Sequence, residues 1–163
     1  MTSPDSPAGT HRRTRPADRP AVAPPVRPGG PAAPPATDLD VAVDASGLHA
    51  LRSAVAAHAA GLGATGDDLY NLLIVASELA TNAIRHGGGR GRLLLWRTGD
   101  LLYCQVRDQG PGMADPAAGR SPPDPHQAGG RGLWITRRIS QRVDVDSTGD
   151  GTVVTAVLVL PPR

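Results

Sequence analysis

From residue 38 onward, Leu39, Val41 and Val43 alternate with polar neighbours, the period-two pattern of a half-buried strand. Ser46 then stands where it could cap a helix carrying Leu48, Leu51, Val55, Ala59 and Leu62 at helical spacing, with Gly61 and Gly63 to end it. A second helix is predicted over 68–86. Leu69, Leu72, Leu73, Ala76, Leu79, Ala80 and Ala83 give it one apolar stripe, Asp67 and Asp68 suit the positive end of its dipole, and Gly87-Gly88-Gly89 stops it. Strands over 92–98 and 101–108 flank Gly99-Asp100, a hairpin signal. The Gly/Pro-rich stretch 109–130 cannot be regular structure. A third helix over 133–139 precedes strands over 142–147 and 152–160, which meet across Gly149-Asp150-Gly151. This order is an α+β pattern: a two-layer sandwich with helices gathered on one face of a mixed, mostly antiparallel sheet.

Composition divides the chain. Ten of its 17 prolines fall between Pro4 and Pro35, where nothing large and apolar is available to bury, so residues 1–37 read as a disordered Pro/Arg-rich tail. That tail holds five Arg against two Asp, whereas residues 38–163 hold twelve Arg against thirteen acids. The basic excess therefore belongs to the tail, and the folded domain, 38–163, has no nucleic-acid signature. All 17 basic residues are Arg; without Lys there is no Schiff-base chemistry and no Walker-A phosphate loop. Cys104 is the only cysteine, which excludes an internal disulfide and a thiolate zinc site, and its place between Tyr103 and Gln105 suits buried packing. No apolar run approaches the ~20 residues of a membrane helix and no signal-peptide stretch opens the chain, so the expected compartment is the cytoplasm.

Four segments carry polar chemistry. On the second helix, in Glu78-Leu79-Ala80-Thr81-Asn82-Ala83-Ile84-Arg85-His86, Glu78 and Asn82 lie about 40° apart in projection on one face, which Arg85 shares. A carboxylate, an amide oxygen and a guanidinium in a row suit magnesium and phosphate, and a carboxylate one turn away could take a proton from an attacking hydroxyl. The same row is equally an idle polar helix face. Asp108-Gln109-Gly110-Pro111-Gly112 ends a strand with an acceptor for an exocyclic amine, or is merely a turn. Gly129-Gly130-Arg131-Gly132-Leu133 opens a helix whose free amides could hold phosphate, or is a hinge. Gly149-Asp150-Gly151-Thr152 is a hairpin that could aim Thr152 into a pocket beside Asp108 if the two strands are neighbours. His86 and His126 read as a helix end and an exposed loop.

In order and spacing these segments resemble the N, G1, G2 and G3 boxes of the gyrase, histidine-kinase and MutL ATPase superfamily, over 69–160. Within it, the short Ser77-to-His86 box and the single domain are most similar to the small bacterial anti-sigma-factor serine/threonine kinases, and the Lys-free composition suits a high-GC actinobacterium. The resemblance implies the histidine-kinase-like ATPase (Bergerat) fold, with ATP and magnesium as cofactors. It implies Asn82 as magnesium ligand, Glu78 as the catalytic group polarising the attacking hydroxyl or a water, and Arg85 at phosphate. Asp108 would accept from the adenine amine with Thr152 assisting, Gly110 and Gly112 would shape the adenine pocket, and Gly130 and Gly132 would support the phosphate end. Residues 113–128 would be a lid, whose Pro- and Gly-rich sequence has little to fix its shape without ligand.

The implied function is transfer of phosphate to a small antagonist protein that regulates transcription, with protein partners of anti-anti-sigma type and a sigma factor. No nucleic acid or membrane is contacted, and a homodimer is compatible with the family. Two other readings use the same residues. One is a nucleotide-dependent binding module that sequesters a regulator without phosphotransfer. The other is the detached catalytic domain of a histidine kinase, against which the chain before residue 38 is Pro-rich and lacks paired helices; His49 and His58 lie on an ordinary amphipathic helix.

Overall fold

The computed structural model describes residues 37–124 and 130–162. The expected tail up to residue 36, the last part of the lid, Gly129 and His126 lie outside the described residues. Five strands and three helices follow in the order β1 (Leu39–Asp44), α1 (Leu48–Gly61), α2 (Gly66–His86), β2 (Arg90–Thr98), β3 (Leu101–Asp108), α3 (Arg131–Ile139), β4 (Arg142–Thr148) and β5 (Gly151–Val159).

The strands form one sheet in the order β1-β2-β3-β5-β4, and all four pairings are antiparallel. The sheet is thus wholly, not mostly, antiparallel. β3 and β4 run the same way, as a strand pair joined through a helix should, but β5 returns from the Gly149-Asp150 turn and occupies the place between them. The two edge strands carry Asp40, Asp44, Arg142, Asp144 and Asp146, charges that discourage pairing with another chain.

Period-two alternation sends Leu93 and Leu95 of β2, Leu102, Cys104 and Val106 of β3, and Val154, Ala156 and Leu158 of β5 to one face. There they share a single core with Leu51, Val55 and Ala59 of α1, with Leu72, Val75, Ala76, Leu79, Ala80 and Ala83 of α2, and with Leu133 of α3. The helices therefore occupy one face, as the sequence pattern predicts. On the other face Trp96 stacks on Tyr103 with ring centroids 4.9 Å apart and planes 3° from parallel.

One helix start differs from expectation. Ser46 does not cap α1; Gly47 holds the N-cap position and no side chain bonds there. The Ser46 hydroxyl donates instead to Asp44 Oδ1 at 2.6 Å, and the amides of Ser46 and Gly47 donate to the same oxygen at 2.8 and 2.9 Å. A charged acceptor two residues upstream competes better for the hydroxyl than helix amides do.

Candidate functional site

At one end of the sheet, the C-terminal end of β3 meets the start of β5, since the two strands are antiparallel neighbours. The last turn of α2 and the first turn of α3 come over the same end, and together they enclose a cavity of about 620 Å³. Its walls include Asn82, Arg85, Asp108, Gly112, Gly130, Gly132 and Thr152, seven of the nine residues singled out from sequence. The apolar lining comes from Leu79, Ala83, Val106, Leu133 and Val154, which also belong to the core, and from Met113 of the loop, which packs against it.

Asp108 is fixed before any ligand arrives. Its Oδ1 accepts from the amide of Gly110 at 3.0 Å and from the amide of Thr152 at 3.1 Å. A β-carbon at residue 87 would lie 2.5 Å from Oδ2 of the same carboxylate, so glycine is what lets the end of α2 pass this close to Asp108. Gly110 does not line the cavity; it is buried against Gly87, where a β-carbon would come within 2.6 Å of the Gly87 α-carbon. Gly112, at φ 82°, does line it, and a side chain there would strike the carbonyl of Thr148.

Thr152 joins Asp108 through its backbone amide, while its hydroxyl lies 3.2 Å from Ser147 Oγ. Ser147 in turn accepts from the amide of Met113 at 2.5 Å, tying the start of the loop to β4. Ser147 was not singled out from sequence. Its register opposite Thr152 across the predicted hairpin was the available signal.

Glu78 is half-buried and stands beside the cavity rather than in its wall. A β-carbon at Gly132 would lie 2.5 Å from Glu78 Oε2 and 3.6 Å from Asn82 Nδ2, so glycine in the first turn of α3 permits the helix to reach these two side chains. Gly130 precedes that helix at φ 76°, the left-handed turn that swings the chain into α3. Arg85 and His86, both exposed, reach the rim from the last turn of α2, so His86 is more than the helix end its sequence position suggests.

The first half of the loop is ordered, against expectation. Asp115 accepts from Ala117 N through Oδ1 at 2.9 Å and from Ala118 N through its carbonyl at 3.0 Å, and Arg120 N donates to Ala117 O at 3.2 Å. Gly119 lies flat on α3, where a β-carbon would be 2.6 Å from the carbonyl carbon of Leu133 and the nitrogen of Trp134. Local turn bonds and contact with a helix give the segment a shape that its Pro and Gly content alone does not.

Among the described residues no group of three or more His, Cys, Asp or Glu could hold a metal ion. The oxygen donors on α2, the Asn82 amide and the Glu78 carboxylate, nonetheless fit magnesium, which takes few protein ligands and completes its shell with phosphate and water. Cys104 is fully buried and its thiol is pushed up to about 12 by that burial, which makes it a packing residue.

The description of the histidine kinase-like ATPase domain matches residues 41–158. The anti-sigma F factor of Bacillus licheniformis is 32% identical over 114 residues, which cover 63% of this chain and 77% of that protein. The anti-sigma F factor of Bacillus subtilis (strain 168) is 31% identical over the same coverage. Among solved structures, that of the RsbU and RsbW domains of Rv1364c from Mycobacterium tuberculosis superposes with a TM-score of 0.58 at 18% identity, over 77% of this chain and 33% of that one, a likeness of fold. No helix among the described residues is long and apolar enough to cross a membrane. With the matched region running from β1 through most of β5 and the four expected segments converging on one end of the sheet, the chain belongs to the histidine kinase-like ATPase family.

Proposed function

We propose that the chain is an ATP-binding protein serine/threonine kinase of anti-sigma-factor type, with residues 38–163 as the nucleotide-binding domain and 1–37 as an extension of it. The observation that carries this reading is the convergence of Asn82, Asp108, Gly130, Gly132 and Thr152 on one cavity of nucleotide size. The anti-sigma F factors among its relatives supply the protein-level context.

In this reading Asp108, held by two backbone amides, presents its free oxygen to the adenine amine, and Thr152 assists at the same end. Val106, Met113 and Val154 offer the ring apolar surface, and Gly112 lets it approach the backbone. The free amides at the start of α3, opened by Gly130 and Gly132, and the guanidinium of Arg85 face the phosphates. Asn82, with Glu78 beside it, is the ligand for magnesium, which supplies charge neutralisation to the phosphates when bound. Glu78 accepts the proton of the acceptor hydroxyl as its oxygen bonds to the γ-phosphorus. The bond from that phosphorus to the β–γ bridging oxygen breaks, leaving a phosphoserine or phosphothreonine and ADP.

The acceptor belongs to a small antagonist protein, and a sigma factor is the second partner. The compartment in this reading is the cytoplasm, no nucleic acid is contacted, and a homodimer is compatible with the family. One observation favours a second reading, a nucleotide-dependent module that sequesters a regulator: Glu78 lies against Gly132 and outside the cavity wall. Incubation with γ-labelled ATP and candidate antagonist proteins of the same organism separates the two. Kinase activity gives label on Ser or Thr that falls at least 100-fold in Glu78→Gln. Nucleotide-dependent complex formation without label, unchanged in Glu78→Gln, establishes the second reading instead.

A further inference from the structure

Arg137 lies in the last turn of α3, outside the four segments that carry the nucleotide reading. Its guanidinium donates from all three nitrogens to backbone carbonyls. Nε donates to Ala118 O at 3.0 Å, Nη2 to Pro116 O at 3.2 Å and Nη1 to Val143 O at 3.1 Å. Two of these acceptors belong to the loop and the third to β4, so one side chain joins α3, the loop and the sheet edge. Ala118 and Gly119 form part of the cavity wall facing Gly132 and Leu133 of α3. The position of that wall relative to the phosphate end of the site is therefore set through Arg137.

We propose that Arg137 is a positioning residue for the nucleotide: it latches the first half of the loop onto α3, so that the cavity wall is in place before ATP enters. The inference rests on the nucleotide reading of the cavity. Its physical basis is the planar fork of the guanidinium, which satisfies several fixed acceptors at once, whereas an ammonium is a point donor on a flexible stem. The carbonyls of an exposed loop would otherwise bond water at little cost, so the three bonds contribute more to the loop's position than to global stability. The charge is held at a cost. Burial and the nearby Arg120 both work against the guanidinium's protonated form, and Asp144 and Asp115 partly offset them.

The test pairs nucleotide release with protease access. Arg120 is exposed in the latched segment, and trypsin cleavage after it yields a peptide beginning at Ser121. In the nucleotide-free protein, Arg137→Met accelerates that cleavage at least tenfold, and Arg137→Lys falls between it and wild type. Stopped-flow displacement of a fluorescent ATP analogue with magnesium gives a dissociation rate raised by a similar factor, while the melting transition of the core moves little. Gly119→Ala, which forces a methyl group into the α3 backbone without touching Arg137, reproduces both effects and serves where Arg137→Met folds poorly. Wild-type cleavage and release rates in Arg137→Met and Gly119→Ala would overturn the latch. Wild type that binds no ATP would overturn the nucleotide reading instead, and the cleavage contrast would still report the latch by itself.

Discussion

A methyl group added at residue 87 would land on the carboxylate of Asp108, and that one contact carries much of the site's geometry. The backbone at Gly87, φ −98°, accommodates alanine, so Gly87→Ala acts only by displacing Asp108. It should weaken ATP at least tenfold, about 1.4 kcal/mol, by calorimetric titration, with an unchanged circular-dichroism spectrum. Asp108→Asn should do the same for a different reason. One amide oxygen keeps the bonds from Gly110 and Thr152, and an NH2 group then meets the adenine amine donor to donor. Cys104 supplies a control: its thiol, buried and raised to about 12, should resist iodoacetamide at pH 8 in the folded protein and react only in denaturant. Asp108, Asn82, Gly130 and Gly132 are legible in sequence because each sits at a fixed place in a short run. Gly87 and Ser147 are not, because what each does depends on a partner from a distant strand or a neighbouring loop.

Elements were legible where their signals are local. Gly99-Asp100 and Gly149-Asp150 marked both hairpins, and the apolar stripe with Asp67 and Asp68 marked α2. Leu72, with no exposed surface, anchors that stripe, and Leu72→Ala should cost about 2–5 kcal/mol in urea denaturation. The entry to α1 was misread because a carboxylate two residues back captured the serine hydroxyl. Loop order was missed for a related reason: its anchor, Arg137, lies 19 residues along the chain from Ala118. Two carboxylates on β1 tie stability to acid. Asp40 is held below the ordinary carboxylate range first by its bond from Arg92, and Asp44 by its bonds from Ser46 and Gly47. Each contribution is complete above the unfolded value of about 3.9 and is lost as pH falls through the lower folded value. The urea midpoint should therefore drop as pH falls below about 4, and drop less in Asp44→Asn. Both groups are surface-exposed, so the change is modest.

At the scale of the whole molecule, the sheet order brings the four segments together. β5 inserts between β3 and β4, which sets Thr152 beside Asp108, while α2 and α3 on one face close over the same end. The α+β class and the helix-covered face are legible in the hydrophobic period. The insertion of β5 is a long-range choice that no local pattern encodes, and the Thr152–Asp108 contact depends on it. The matched family region, 41–158, spans this architecture from β1 through most of β5. The central claim is that the cavity is a nucleotide site organised on α2. Calorimetric titration of ATP and ADP with magnesium into wild type and Asn82→Ala tests it most directly. Both nucleotides should bind wild type saturably, and ATP binding should weaken at least tenfold in Asn82→Ala with the fold intact. Folded wild type that binds neither nucleotide, or binding that Asn82→Ala leaves unchanged, would contradict it.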